Sequence, residues 1–318
     1  MLIPVLISGV IFLLLLIISL FSYICFSMVF KPPRRKNLKE GEYDLPPGKI
    51  YEQFYPQMRK WTDSIRSMKR ELLEVKSFDG LTLRGYYYEY SEDSPLELIF
   101  HGYSGNAERD LSGGVDRCFA LGRSCILIDQ RGAGLSEGKI CTFGVHERKD
   151  CISWIEFVTK KFGKERPLII GGVSMGGATV MMAAGENLPG NVVCVMSDCG
   201  YSSQKDIICK VVKEMKLPAK IIYPFIKLGA KTFGGFDLEE ITPIEAVAKT
   251  KIPVIFIHGD TDSFVPHSMS VECFNACNTQ KKLVTIEGAG HGLAFPVNQK
   301  KYIESLRDFE NEVGFLNK

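Results

Sequence analysis

From Leu2 to Phe30 the chain carries no charge, and most positions are Leu, Ile, Val or Phe. About 20 apolar residues suffice to cross a hydrocarbon core as a helix, so this run is long enough to span with tilt. A cleavable leader needs a basic start, a shorter apolar core and small residues before the cut. Here Met1 leads directly into Leu-Ile-Pro and no such site follows; Cys25, preceded by Ser-Tyr-Ile, is a poor lipoprotein site. The pattern predicts an uncleaved anchor over 1–30. Lys31-Pro-Pro-Arg-Arg-Lys36 follows with four positive charges. Positive flanks stay on the cytoplasmic side, which places the rest of the chain there, at the cell membrane.

Residues 31–50 hold four prolines, Gly41 and Gly48, and read as a basic, Pro-rich linker. Tyr51 to Met68 then shows helical spacing: Tyr51, Phe54, Tyr55, Met58, Trp61, Ile65 and Met68 are apolar with charges between. Two strand candidates, 72–78 and 81–90, flank Asp79-Gly80, a hairpin signal. Beyond them strands at 96–100, 124–129, 167–172, 192–197, 252–257 and 282–286 alternate with helices at 107–121, 144–162, 175–187, 266–277 and 297–315. Runs such as Cys125-Ile-Leu-Ile and Pro253-Val-Ile-Phe-Ile suit strands covered on both faces. An antiparallel start followed by βα units predicts an α/β domain over 51–318. Its mostly parallel twisted sheet has about eight strands and helices on both faces. The alternation breaks at 201–250, where helical patterns near 203–216 and 218–232 are too long for a crossover and predict a helical cap.

Lys+Arg 39 against Asp+Glu 37 leaves a net charge of +2, without the concentrated basic face that nucleic acid requires. Ten scattered cysteines form no C-x-x-C pair and no zinc-spaced cluster. Several sit inside strand or helix patterns as small hydrophobes, a usage suited to a reducing compartment. No metal or organic cofactor is expected.

The chemistry centres on Gly172-Val173-Ser174-Met175-Gly176, between an apolar strand and a small-residue helix. A sharp strand-to-helix turn at Ser174 projects its hydroxyl from the sheet edge and marks it as a nucleophile. A serine needs a base and a group to orient that base. Of the five histidines, His291 lies in Gly288-Ala-Gly-His-Gly292, after the last strand, on a loop able to return toward Ser174. His146 and His267 open helices, and His258 ends a strand in a structural role. The orienting acid is one of Asp262, Asp260 and Asp198, each after a strand, with Asp262 favoured. For the oxyanion, backbone N–H donors are expected from Met175, behind the serine, and from Tyr103 in the turn His101-Gly-Tyr-Ser-Gly-Asn106.

Ser174, Asp262 and His291 follow the order nucleophile, acid, base, and here the chain resembles the α/β-hydrolase superfamily. His101-Gly102, Asp129-Gln-Arg-Gly-Ala-Gly-Leu-Ser136 and His258-Gly-Asp-Thr-Asp-Ser-Phe-Val-Pro266 are similar to that family's patterns over residues 72–315. More narrowly the chain looks like membrane-anchored bacterial members, serine aminopeptidase S33-like or ABHD-like. By family pattern the second Asp of the last motif is the acid, which supports Asp262. The lipase-type H-G-G-G loop is missing.

The resemblance implies a serine hydrolase that cleaves a carboxylic ester or related acyl bond of a small-molecule or lipid-like substrate. Ile221, Ile222, Tyr223, Phe225, Ile226 and Leu228 of the cap are candidates for lining its acyl cleft. A serine peptidase is the alternative; an aminopeptidase needs a carboxylate for the substrate ammonium, with Glu239 and Glu240 available. An acyltransferase and a non-catalytic membrane-associated binding module complete the readings.

Overall fold

Continuous apolar strands and the helices between them assemble as the alternation predicts. The structure, a computed structural model, describes residues 2–33 and 41–314. Arg34, Arg35 and Lys36 of the basic flank lie outside the described residues. Eight strands form one sheet: β1 (Glu71–Lys76), β2 (Thr82–Tyr88), β3 (Leu96–Phe100), β4 (Ser124–Asp129), β5 (Leu168–Val173), β6 (Val192–Asp198), β7 (Val254–Gly259) and β8 (Lys281–Ile286). Their order is β1-β2-β4-β3-β5-β6-β7-β8. β2 pairs antiparallel with β1 and β4, and every other neighbour is parallel.

The strand period of two separates two cores. Leu98, Phe100, Ile126, Ile128 and Ile170 face α5 (Glu147–Phe162) and α6 (Met175–Ala184), where Trp154 and Val180 are fully buried. On the opposite face Ile99 and Leu127 meet α4 (Ala107–Ala120) through Leu111 and Val115. There Ile169, Ile255 and Ile257 meet α12 (Gln299–Val313) through Leu306 and Phe309. Glu97 breaks the apolar run of the central β3. Its carboxylate is fully buried but accepts hydrogen bonds from Arg117 and Arg123. Arg123 also pairs with buried Glu310, so the cluster holds two cations and two anions, and losing either arginine would leave one buried charge uncompensated.

At the N-terminus α1 (Leu2–Phe30) is one continuous helix, followed by the short α2 (Lys49–Glu52) and by α3 (Tyr55–Ser67). α3 lays Met58, Trp61 and Ile65 against the domain rather than leaving them exposed. The insertion after β6 contains α7 (Gln204–Glu214), α8 (Ala219–Gly229) extended by a π-turn at Ala230–Gly234, and α9 (Pro243–Val247). α10 (His267–Ala276) follows β7, and α11 (Ala294–Val297) precedes α12. The last ten residues of α1 are not free: Phe26 and Phe30 are buried, and Phe21 packs edge-on against Phe225 of α8 at 4.8 Å.

Candidate active site

The chemistry gathers where the parallel strands end, because each βα turn delivers its loop to that edge. β5 runs into α6 through Ser174, whose φ of 56° and ψ of −118° put it in a strained region for a residue with a Cβ. The flanking glycines make that turn possible. A Cβ on Gly172 would lie 2.2 Å from the Gly176 carbonyl carbon, and one on Gly176 would lie 2.0 Å from the Phe100 oxygen. Two backbone bonds pin the turn: Ser174 N–H donates to Asp198 O at 2.8 Å, and Ser174 O accepts from Ala178 N–H at 3.0 Å.

The loop after β8 brings His291 to this turn. Its Nε2 lies 2.9 Å from Ser174 Oγ and its Nδ1 lies 2.7 Å from Asp262 Oδ2. A carboxylate can only accept, so Nδ1 carries the proton and Nε2 is free to receive the serine's. Asp262 stands on the loop after β7, where Oδ1 accepts from the N–H groups of Phe264 and Val265, both at 2.9 Å. Burial alone would raise its pKa. Hydrogen bonds from His258 and His291, with their charges, outweigh that and hold the carboxyl well below the usual range.

The other two acids point elsewhere. Asp198 is buried and accepts from Tyr302 Oη at 2.9 Å, and burial pushes its carboxyl up. Asp260 accepts from the Gly288 N–H at 2.7 Å on the surface.

The remaining histidines divide into supporting and remote. His258 stands behind the acid, with Nε2 3.2 Å from Asp262 Oδ2 and 2.9 Å from Val265 O, and Nδ1 2.7 Å from Ser270 Oγ. Two acceptors at Nε2 require the proton there. His101 receives the Gln130 N–H at Nε2 (3.0 Å), so its Nδ1–H donates to Gly102 O at 2.7 Å. The Gly102–Tyr103 peptide is trans, so its N–H points opposite to that anchored carbonyl. A Cβ on Gly102 would lie 3.4 Å from the Ser174 Cβ, so this loop runs alongside the serine. Met175, first residue of α6, contributes one of the N–H groups a helix start leaves unpaired. His146 packs edge-on against Phe78 and His267 meets Thr285, both away from Ser174.

A cleft of about 360 Å³ opens over Ser174. Its walls correct the expectation for the cap. Pro46, Pro47, Tyr51 and Met58 line it, together with Tyr103, Arg109, Asp110 and Phe264. Of the cap residues named from sequence, Tyr223 and Ile226 are buried, Ile222 and Phe225 are partly buried, and Ile221 and Leu228 face outward. None reaches the cleft, because α8 is held against α1 instead. Asp110 inside the cleft is neutralised by Arg109, Nε to Oδ1 2.5 Å. Burial and the neighbouring negative groups push the Tyr51 phenol up to about 12, so it stays a hydrogen-bond donor. Tyr51 and the Pro46-Pro47 pair were not expected at the site. A tyrosine at helical spacing and a proline pair in a linker gave no chemical signal.

Cys199, Asp262 and His291 place their ligand atoms within 4.8 Å of one another, the spacing of a cation site. Burial, then the charges of Asp198 and Asp262, push the Cys199 thiol well up, so it stays protonated and a poor ligand.

A family model described as alpha/beta hydrolase fold matches residues 98–221. YqkD of Bacillus subtilis is 23% identical over 248 residues, covering 78% of this chain and 81% of its own. Protein bem46 of Schizosaccharomyces pombe is 26% identical over 223 residues, covering 68% of each. The Pyrococcus furiosus esterase Pf2001 superposes with a TM-score of 0.62 at 20% identity, over 79% of this chain and 94% of its own.

Proposed function

We propose that this chain, which belongs to the α/β-hydrolase superfamily, is a membrane-anchored serine hydrolase of carboxylic esters or related acyl bonds. The observation that carries the reading is the contact chain Ser174 Oγ–His291 Nε2–Asp262, at 2.9 and 2.7 Å, on a strained turn under an open cleft.

In this mechanism Ser174 Oγ attacks the acyl carbon while His291 Nε2 takes its proton. Asp262, ionised and buried, stabilises the imidazolium so formed. The N–H groups of Met175 and Tyr103 receive the oxyanion as it develops. Collapse expels the alcohol, which leaves with the proton from His291. Water, activated by the same imidazole, then releases the acid from Ser174.

Ester is favoured over an aminopeptidase substrate by the state of the carboxylates. Glu239 pairs with Lys227 and Tyr223, Glu240 with Arg148, and Asp110 with Arg109. Glu239 and Glu240, the acids weighed for holding a substrate ammonium, are thus neutralised, and so is the Asp110 of the cleft. α1 supports the anchor: Ile3–Phe30 is long and apolar enough to cross a bilayer. All ten thiols are unpaired, in keeping with a domain on the cytosolic side.

The test is hydrolysis of p-nitrophenyl esters of increasing acyl length by the full chain in detergent. Ser174→Ala is expected to lower kcat by about 10⁶-fold, as loss of a triad nucleophile does. Activity surviving that change would refute the mechanism.

A further inference from the structure

The cap that fails to line the cleft has a different exposed feature. α7 and α8 form a hairpin, and at its turn three large apolar side chains stand out in solvent. Met215 is 53% exposed, Leu217 43% and Ile221 62%. Lys213, Lys216 and Lys220 are interleaved with them, all exposed. None of the three makes a salt bridge among the described residues, and the one acid in the turn, Glu214, is held by Lys210. An apolar tip ringed by unpaired cations is costly to leave in water and fits neither a core nor an ordinary solvated turn.

Its position relative to α1 says what covers it. Contacts between α1 and the cap advance in the same chain order on both sides. Phe21 meets Phe225, Phe26 and Tyr23 meet Phe233, and Phe30 meets Phe236. Between them Gly229 lets the helices close: a Cβ there would lie 2.5 Å from Ser22 O and 2.9 Å from Phe26 Cβ. α8 therefore runs alongside α1 in the same direction, and its start points toward the half of α1 whose side chains are exposed. Ile221 precedes Phe225 by one turn, which is about 6 Å along the axis. That sets the hairpin tip beside the turn before Phe21, inside the apolar stretch Ile3–Leu20.

We propose that the α7–α8 turn is a second membrane contact, with Met215, Leu217 and Ile221 entering the lipid interface and Lys213, Lys216 and Lys220 on anionic headgroup phosphates. The inference rests on α1 being a membrane anchor. Interfacial segments bury their apolar face about 5–10 Å below the headgroups, the depth reached by one turn of α8 beyond Phe21. Each lysine near an anionic leaflet adds attraction, so the lipid chosen is acidic. Two attachments instead of one would fix the tilt of the domain and hold its cleft at a set height above the bilayer.

The experiment uses the full chain in vesicles of phosphatidylcholine with phosphatidylglycerol, with brominated acyl chains as quencher. Trp61 and Trp154 are buried and shielded from both quenchers, so a change in quenching reports the added tryptophan over a constant emission. Leu217→Trp reports the tip and Leu13→Trp reports α1. Strong bromolipid quenching of both, with the tip's quenching reduced by K213E/K216E/K220E and in pure phosphatidylcholine, is the expected result. Quenching at Leu13→Trp alone, with Leu217→Trp open to aqueous iodide, would overturn the tip contact and leave the anchor standing. Shielding of Leu217→Trp from both quenchers would mean a protein covers it, again against the proposal. Absence of bromolipid quenching at both positions would sink the anchor and the tip together.

Discussion

Ile3–Leu20 and Phe21–Phe30 are two halves of one helix, both uncharged and with no break between them. Every residue of the first half is exposed on the protein, while Ser22, Cys25, Phe26 and Phe30 in the second are buried. Lipid asks only that a side chain be apolar, whereas a protein core asks for a matching shape. That shape comes from the cap, where Gly229 and Gly234 clear space for Ser22 and Phe26. The second half is also tied to the loop after β3: Tyr103 Oη donates to Val29 O at 2.9 Å, and its ring packs tilted against Phe143, which meets Phe30. We therefore propose that the exposed, lipid-facing part of the anchor ends at about Leu20, with the last ten residues of the helix packed on the domain.

Cutting the helix at different points should separate its two halves. A chain starting at Lys31 loses Phe26 and Phe30 from the core. Each is worth about 3–5 kcal/mol by the yardstick of buried aromatic truncation, so the domain is expected to unfold or melt far lower. A chain starting at Phe21 should melt with the full chain in detergent. Single changes carry the same contrast: Phe30→Ala is expected to be as damaging as that yardstick says, and Phe12→Ala to fall within about 0.5 kcal/mol of wild type.

Acid separates the halves by another route. The Asp262 carboxyl is depressed in the folded protein by its two histidine partners. Its stabilisation is complete above the ordinary carboxylate pKa of about 3.9 and is lost as pH falls through the depressed folded value. Thermal midpoints should therefore decline on the acid side, and Asp262→Asn should flatten that decline, while the helical signal of Ile3–Leu20 persists. A modest effect is expected for Tyr103→Phe, which removes one partly buried hydrogen bond worth about 1 kcal/mol. If α1 steadies the oxyanion loop, kcat falls several-fold with KM little changed; an unchanged kcat would confine that bond to stability.

Much of the fold was legible because each strand has its own run and each turn its own punctuation. β3 and β4 lie where the apolar runs predicted, and α6 starts at Met175, where the motif put it. Ser174, His291 and Asp262 were each marked by a loop at a strand end, a signal contained in a few consecutive residues. The cap's destination was not legible, since helical periodicity identifies a buried face without naming the partner it meets. For the same reason hydropathy could not divide α1: Phe12 and Phe26 are one letter in the sequence, and only the cap's glycines distinguish them. The Pro46–Tyr51 wall of the cleft depends on where the linker folds back, which no local pattern encodes. His258 and His101 each stood in a noticed motif, but their roles depend on hydrogen-bond partners from other segments.

The proposed mechanism requires Ser174 to be an activated nucleophile in the intact protein. Incubating the full chain in detergent with a fluorophosphonate and recording intact mass, then mapping the modified peptide, tests it directly. One adduct on Ser174, lost in Ser174→Ala and strongly slowed in His291→Ala, is the expected result. A folded wild-type chain that takes no label, or takes it on another residue, would contradict the account.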